Sequence, residues 1–371
     1  MYVKNIKLIN FRNYMNLDVE LNKTLNIFVG DNAQGKTNLL ESIYLCSNGK
    51  SYRTSKDREL INLSKEKAYI GLNLEKRLFS KYIEIKFEKE LKKRIRVNRI
   101  ELGRNSELIG VLNVVIFSPE DLKLIKEGPS ERRNFLDGEI SQIKPKYKYN
   151  LARYNKILMQ RNNLLKSRSY ESCQNVFDVW DTQLSQTGTD IIIERVKFID
   201  KLAIISKDIH SKLTGGLEEL GVQYLPSFSI NDLNKEELQI RFKNILKNNI
   251  EQDIQRGNTE FGPHRDDLDI IINEVSARTF GSQGQQRTAA LSLKLAEVEL
   301  IKSEVGEYPV LLLDDVFSEL DINRRKYLIS TFKGIQTIIT STDDIDLVEL
   351  NDIEKRVFFI KQGKVIIEEE V

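Results

Sequence analysis

Residues Gly30 to Thr37 read GDNAQGKT, a G-x-x-x-x-G-K-[ST] pattern whose residue types and spacing suit a chain of phosphates. Gly30 and Gly35 let the backbone turn tightly, so that N–H groups through Asp31, Asn32, Ala33 and Gln34 can converge on anionic oxygens. Lys36 would place its ammonium on the β- and γ-phosphates, and Thr37 would offer a hydroxyl to Mg²⁺. Far along the chain, Pro309-Val310-Leu311-Leu312-Leu313-Asp314-Asp315 is an apolar run ending in two carboxylates. Asp314 is the natural partner for the metal at Thr37. Asp315, one residue on, could hold an attacking water, its plainer alternatives being a polar strand end or a helix cap.

These groups work only if regular elements aim them. The run Leu25-Asn26-Ile27-Phe28-Val29 reads as a strand delivering the loop, and Asn38-Leu39-Leu40-Glu41-Ser42-Ile43 as the helix whose positive end faces the phosphates. The run before Asp314 suits a buried parallel strand with its C-terminal edge at the nucleotide. About 275 residues separate the two motifs, so something large is inserted into the sheet. Just upstream, Phe280-Gly281-Ser282-Gln283-Gly284-Gln285-Gln286-Arg287 leads into the helix former Thr288–Glu297. A helix N-terminus with the Ser282 hydroxyl could recognise a phosphate; a glycine-rich loop with an ordinary serine cap is the alternative. Val316-Phe317-Ser318-Glu319-Leu320-Asp321 follows the carboxylates, and a strand-like Thr337-Ile338-Ile339-Thr340 ends at Ser341-Thr342-Asp343.

Phosphate loop, S-x-G-Q, the apolar run with two aspartates and S-x-L-D, in this order and spacing, resemble the ABC-type ATPase heads of the Rad50/SMC class. The opening Ile6-Lys7-Leu8-Ile9-Asn10-Phe11-Arg12-Asn13-Tyr14 is similar to the first strand of such heads and its N-F-R turn. Within the class the chain most resembles the RecF family, through Lys50-Ser51-Tyr52-Arg53-Thr54-Ser55-Lys56, Phe117–Leu122, Gly128-Pro129 with Arg132–Asp137, Trp180-Asp181 and Gly262-Pro263-His264-Arg265-Asp266-Asp267. The resemblance runs from end to end. It implies ATP and Mg²⁺ as cofactors, with Arg12 on the nucleotide phosphates, Thr37 and Asp314 on the metal, and Asp315 catalytic. Ser282, Gly284 and Gln285 would meet the nucleotide of a second chain, because in this class the signature faces away from its own phosphate loop. It further implies a weak, DNA-stimulated ATPase whose homodimer forms on ATP and is released by hydrolysis. Single-strand/double-strand junctions of gapped DNA would be its target. RecR would be its partner, with RecO in the same pathway, to load RecA in gap repair, replication restart and SOS induction. Two departures from the class stand out. Thr342 replaces a common switch histidine, leaving the γ-phosphate sensor open, and Asp315 replaces glutamate, a shorter reach that fits slow hydrolysis.

The chain has 371 residues, 40% apolar and 30% charged, enough for two domains with real cores. No stretch approaches 18 consecutive apolar residues and no signal-peptide pattern is seen, so a cytoplasmic, nucleoid-associated protein is expected rather than a transporter with its own spans. Cys46 and Cys173 are isolated, without metal spacing. His210 and His264 are the only histidines, too few for a His-rich two-metal nuclease. A net charge of +2 is weak support for nucleic-acid binding. Local patterns carry more. In Lys92-Lys93-Arg94-Ile95-Arg96-Val97 a half-buried strand would project Arg94 and Arg96 from one face, either to track phosphates or simply to be solvated. By resemblance, Arg53 would couple DNA to the ATP site, with a salt bridge beneath the loop as the alternative, and Lys56 lies beside it.

The interval from Pro119 to Gln252 reads mainly as helices, with stripes over Lys146–Lys166 and Asp190–Leu213 separated by a polar turn at Lys166–Ser172. Neither stripe is long enough for the coiled coil of Rad50 or SMC proteins. The expected architecture is an α/β ABC-type P-loop ATPase head with an inserted helical lobe. Residues 1–120 plus 281–371 would form the nucleotide lobe, and 121–280 the mainly helical lobe carrying DNA- or dimer-facing elements. Two rival classes follow less well. A structural DNA clamp lacks its coiled coil here, and a metabolic P-loop kinase would not carry the signature or the N-F-R opening.

Overall fold

A computed structural model describes residues 1–167, 170–317, 320–342 and 353–370. The chain divides into two compact units, Met1–Asp121 with Leu291–Val371, and Leu122–Ala290. The first stretch contains β1 (Tyr2–Phe11), β2 (Tyr14–Glu20), β3 (Leu25–Val29), α1 (Lys36–Asn48), β4 (Lys67–Glu75), β5 (Ser80–Glu88), β6 (Arg94–Val97), β7 (Ile100–Glu101) and β8 (Val114–Phe117). There follow α2 (Leu122–Lys126), α3 (Pro129–Ile143), α4 (Pro145–Lys166), α5 (Tyr170–Leu213), β9 (Leu220–Leu225), α6 (Lys235–Asn248), α7 (Ile250–Arg256), β10 (Asp267–Ile272), β11 (Val275–Ser276) and α8 (Ala277–Phe280). The chain continues through α9 (Gln283–Val305), β12 (Val310–Asp314), α10 (Ile322–Ser330), β13 (Thr337–Ser341), β14 (Lys355–Lys361) and β15 (Lys364–Glu370).

The first unit holds two sheets. One has the order β2-β1-β4-β5-β6-β7 with every pairing antiparallel. Its strands alternate: in β5 Ile83, Ile85 and Phe87 are buried while Tyr82, Glu84 and Lys86 lie on the other face, the pattern of a sheet covered on one side. The other has the order β15-β14-β3-β13-β12-β8, parallel except for β15 at the edge. Its strands β3, β8, β12 and β13 are buried at every residue, as parallel strands covered on both faces must be. Helix α1 touches strands of both sheets, which explains why Leu39, Leu40, Ile43, Leu45 and Cys46 can all be buried on one helix. One apolar core runs from Ile6, Leu8 and Ile85 through Leu39 and Ile43 to Phe28, Leu312 and Phe358.

The second unit is helical apart from a three-stranded sheet, β11-β10-β9, which the expectation of a helical lobe did not include. Strand β10 does alternate between buried and half-buried residues, but its leading carboxylates Asp266 and Asp267 break the apolar signal. Helix α5 begins at Tyr170 rather than near Asp190. The sequence stripe fades over residues 175–190 because part of the buried face there is polar: Asp181, Ser185, Thr187 and Thr189 are buried beside Phe177 and Leu184. The turn expected at Lys166–Ser172 lies partly outside the described residues.

Most of the family-like motifs of this segment build its interior. The Arg161 guanidinium, fully buried, donates to Asp181 (2.6 Å), Asp253 (2.6 Å) and Thr259 Oγ1 (2.8 Å). Arg132 forms a bidentate pair with Asp267 at 2.7 and 2.9 Å, and Arg195 bridges Asp137 (2.8 Å), the Tyr147 hydroxyl (3.0 Å) and the Pro263 carbonyl (2.6 Å). Asp266 accepts from the Ser227 N–H at 2.7 Å and from the Tyr224 hydroxyl. Paired this completely, buried charges tie helix to helix.

His264 has a measurable role in the same interior. Its Nε2 donates to the Thr259 carbonyl (2.9 Å) and its Nδ1 accepts from the Tyr154 hydroxyl (2.7 Å), the pattern of a neutral ring. Burial pushes the imidazole down from 6.5 to about 4. The unfolded chain therefore binds a proton below about pH 6.5 that the folded chain refuses until about pH 4. Stability present above pH 6.5 is lost as pH falls through this window, by about 3 kcal/mol. Urea unfolding of wild type and His264→Gln across that range should show the glutamine variant losing less stability on acidification. Equal losses would mean that other groups set the acid response.

Candidate nucleotide site

The phosphate loop emerges where β3 ends. Gly30 N–H bonds the Ser341 carbonyl at the end of neighbouring β13 (3.3 Å), and Gly35, at φ 120°, serves as N-cap of α1 without a side-chain cap. The first N–H groups of this 13-residue helix are thus left for an anion. Asp31, Asn32 and Ala33 are exposed, while Lys36 is buried. The Lys36 ammonium donates to the Asp31 carbonyl (3.0 Å) and to the Gly30 carbonyl, so the loop curls around it.

Two turns clamp the loop from outside. Asn13, in the β1–β2 turn, donates to the Gln34 carbonyl (2.8 Å) and accepts from Asn38 (2.9 Å), while the Tyr14 hydroxyl donates to the Gly35 carbonyl (3.0 Å). A Cβ on Gly35 would meet the Asn13 side chain at 2.7 Å, so glycine is required by contact as well as by φ. In the β14–β15 turn, Gly363 N–H bonds the Gln34 carbonyl (3.0 Å) and Gln362 N–H the Gln34 side chain (2.6 Å).

Parallel pairing brings the second motif alongside. Strand β12 pairs with β13, which pairs with β3, so that Asp314 reaches the start of α1. Asp314 Oδ1 accepts from Thr37 Oγ1 (2.9 Å) and from Thr340 Oγ1 (2.8 Å). A hydroxyl and a carboxylate oxygen at this distance form the hard donor pair that Mg²⁺ favours, so these residues suit that metal. Asp315 turns away from the strand at φ 55°, a left-handed conformation that costs energy outside glycine, and its N–H is tied to Thr340 O (3.2 Å) and Oγ1 (3.1 Å). Tyr52 lies close enough that the Asp314 and Glu41 carboxylates reinforce burial in pushing its phenol up.

Arg12 and Arg53 converge on one buried carboxylate. Glu41 accepts from Arg12 Nε (2.9 Å) and Nη2 (2.7 Å), from Arg53 Nη1 (3.4 Å) and from the Ser51 hydroxyl. Arg12 also donates to the Glu59 carbonyl (2.8 Å), and Arg53 to Asn38 (2.7 Å), and the Arg53–Glu41 contact is an ion pair at 3.4 Å. Sequence reasoning passed over Glu41, although an acid between Leu40 and Ile43 on a buried helix was a usable signal. It also missed Asn13, Asn38 and Gln362, whose polarity marks any surface turn.

The remaining candidates have contacts of their own. Ser282 is exposed in the second unit and caps α9: Gln285 N–H bonds Ser282 Oγ (3.2 Å) while Gln285 Oε1 accepts from Ser282 N–H (2.9 Å), a reciprocal capping box. Gln285 also donates to Glu218 (3.0 Å), and Gly284 is exposed. Lys56 pairs with Glu59 at 3.6 Å, Arg96 with Glu101 at 3.1 Å, and Arg94 is exposed. Thr342 is half-buried just beyond β13; Ser318, Glu319 and Asp343 lie outside the described residues.

Known proteins resemble this chain over nearly its whole length. Residues 2–365 match the family described as RecF/RecN/SMC N terminal domain. The chain is similar to a DNA replication and repair protein RecF of Clostridium novyi (strain NT), 53% identical over 98% of this chain and 99% of that one. A second RecF, of Alkaliphilus oremlandii (strain OhILAs), is 50% identical over 98% of this chain and 100% of its own. Among solved structures, one described as the recombination mediator protein RecF with ATP in the RecFOR pathway superposes with TM-score 0.91 at 39% identity, covering 100% of this chain and 97% of that one. The Smc head domain of Pyrococcus furiosus shares the fold alone, with TM-score 0.57 at 16% identity. With a phosphate loop and two aspartates set in an ABC-type head and relatives matching from end to end, the chain belongs to the RecF family.

Proposed function

We propose that this protein is an ATP-dependent recombination mediator that dimerises on ATP, binds single-strand/double-strand junctions of gapped DNA, and helps load RecA with RecR and RecO. The observation that carries the reading is the assembly of Lys36, Thr37 and Asp314 at the uncapped start of α1, with Asp315 the next residue along. Lys36 and the loop N–H groups bind the phosphates, and Thr37 and Asp314 hold Mg²⁺, which when bound neutralises charge on the β- and γ-oxygens. Asp315 positions the attacking water and takes its proton. The exposed Ser282 cap of α9 supports a role on a second chain's nucleotide. Two chains then enclose two ATP molecules, and hydrolysis releases both the dimer and its DNA.

Gel filtration with and without a non-hydrolysable ATP analogue, followed by titration with gapped DNA, tests this. Wild type should shift from monomer to dimer on the analogue and bind gapped DNA more tightly as a dimer. Asp315→Asn should hydrolyse ATP about 10²-fold more slowly, a range typical of losing a general base, and remain dimeric with ATP itself. Ser282→Arg should bind nucleotide as a monomer and fail to pair. A wild-type chain that stays monomeric with analogue bound would overturn the two-site enclosure.

A further inference from the structure

The outer face of the antiparallel sheet carries a groove of about 200 Å³ at the end of β1, β4 and β5 nearest the phosphate loop. Its lining is apolar and aromatic at Ile9, Tyr69 and Leu91 and mainly cationic at Lys86, Lys92 and Arg94, with Glu88 as the one acid. Leu91, on the β5–β6 turn, is 62% exposed, an apolar side chain held in water beside a ring. The charges nearby are unbalanced. Glu88 is paired with Lys67, Glu66 with Lys89 and Asp57 with Lys93, each at 2.8 Å. Among the described residues, Lys86, Lys92 and Arg94 form no ion pair, and they outnumber the acids left beside them, Glu90 of the turn and Glu84, which accepts from the Tyr69 hydroxyl at 3.3 Å. The Lys86 ammonium lies over the Tyr69 ring, 5.9 Å from its centroid, as a cation that an incoming base would displace toward its own phosphate.

We propose that this groove binds one nucleotide of a single DNA strand, its base against Tyr69 and Leu91 and its flanking phosphates on Lys86, Lys92 and Arg94. The proposal rests on the DNA-binding reading above and names where the unpaired strand lies. A notch that takes one flat ring suits an unstacked base, whereas the bases of a duplex are stacked and offer only edges and phosphates. Cations on the rim track the backbone whatever the sequence. The groove also has a physical link to the nucleotide site: Asn10 lines it two residues before Arg12, and Lys93 ties the β5–β6 turn to Asp57 in the segment after Arg53.

The test titrates the full-length protein, with ATP analogue, against three labelled ligands: a dT oligomer, a blunt duplex, and an abasic oligomer of the same length. Lys92→Gln/Arg94→Gln should weaken the dT oligomer by about 10-fold or more. It should also reduce the slope of log K against log salt by about 1.4, two phosphate contacts at 0.7 each. Duplex affinity should change by less than about 3-fold. Tyr69→Leu should weaken dT by about 10-fold through lost stacking and leave the abasic oligomer unchanged. Lys156→Gln/Lys197→Gln, an equal charge change in the second unit, controls for net charge, and melting curves control for folding. Equal losses on dT and duplex, equal affinity of wild type for dT and abasic strands, or no loss in either variant would overturn the groove. If wild type binds neither strand nor duplex, the DNA-binding reading itself fails.

Discussion

Lys36→Met is expected to lower nucleotide affinity by about 10²-fold and to abolish the ATP-dependent dimer. The ammonium is buried and encircled by the loop it serves, bonded to the carbonyls of Gly30 and Asp31, so its charge is held at the place where the phosphates bind. Losing one charge-assisted contact costs about 1.5–3 kcal/mol, which is about 10- to 10²-fold in affinity. The upper end applies because the methionine also leaves apolar atoms facing the anion. A fluorescent ATP analogue titration reads the first effect and gel filtration the second. Wild-type affinity in this variant would remove Lys36 from the site.

Arg161→Leu should be the most destabilising single change in the second unit, by about 3–5 kcal/mol, because it leaves Asp181 and Asp253 buried without their counter-charge. Burial already raises both carboxyls above the ordinary range, with the Arg161 charge opposing the rise. Removing it raises them further. A buried acid with a raised folded value costs stability at pH above that value and stops costing as pH falls below the unfolded one. The deficit should therefore narrow toward about pH 4. Arg161→Leu combined with Asp181→Leu and Asp253→Leu should recover much of the loss, since apolar replacement of a whole buried ion cluster is often tolerated. Urea unfolding at two pH values measures both claims. A triple variant no better than the single one would mean that Arg161 acts through packing.

What the sequence revealed, and what it hid, follows from the range of each interaction. The strand–loop–helix at Leu25–Asn48 is a local pattern: five buried residues, a glycine-rich turn, a helix. The same holds for β12, whose apolar run ends in aspartates. Together with the order of motifs they made the ABC-type head legible. The clamps on the loop were not legible, because each joins residues distant in sequence through ordinary polar side chains. Nothing local says that Gln34 will meet Gln362 or that Arg12 will find Glu41. Helix α5 was read too short because the polar residues that answer Arg161 and pack beside it interrupt its stripe. Several motifs that pointed to the family, among them Gly262–Asp267 and Asp181, take part in interior ion pairs and hydrogen bonds.

The clamp of Gln34 by Gln362 and Gly363 also sets an order of assembly during synthesis. The second unit, Leu122–Ala290, is one uninterrupted stretch and can close as soon as it leaves the ribosome. The first unit cannot, since β3 lies between β13 and β14 and so waits for partners encoded near the other end of the chain. Thr37 meets Asp314 across 277 residues, and the Gln34 side chain meets Gln362 across 328. At about 5–20 residues per second, the 81 residues after Ala290 (371 − 290) take about 4–16 s to emerge. Through that interval β3 lacks one or both of its neighbours, although every strand of the antiparallel sheet around β1 has already been made. The nucleotide site is thus shaped only once β13 and β14 have been made, and a nascent chain stalled before β14 would carry the whole phosphate-loop sequence without the neighbours that shape it.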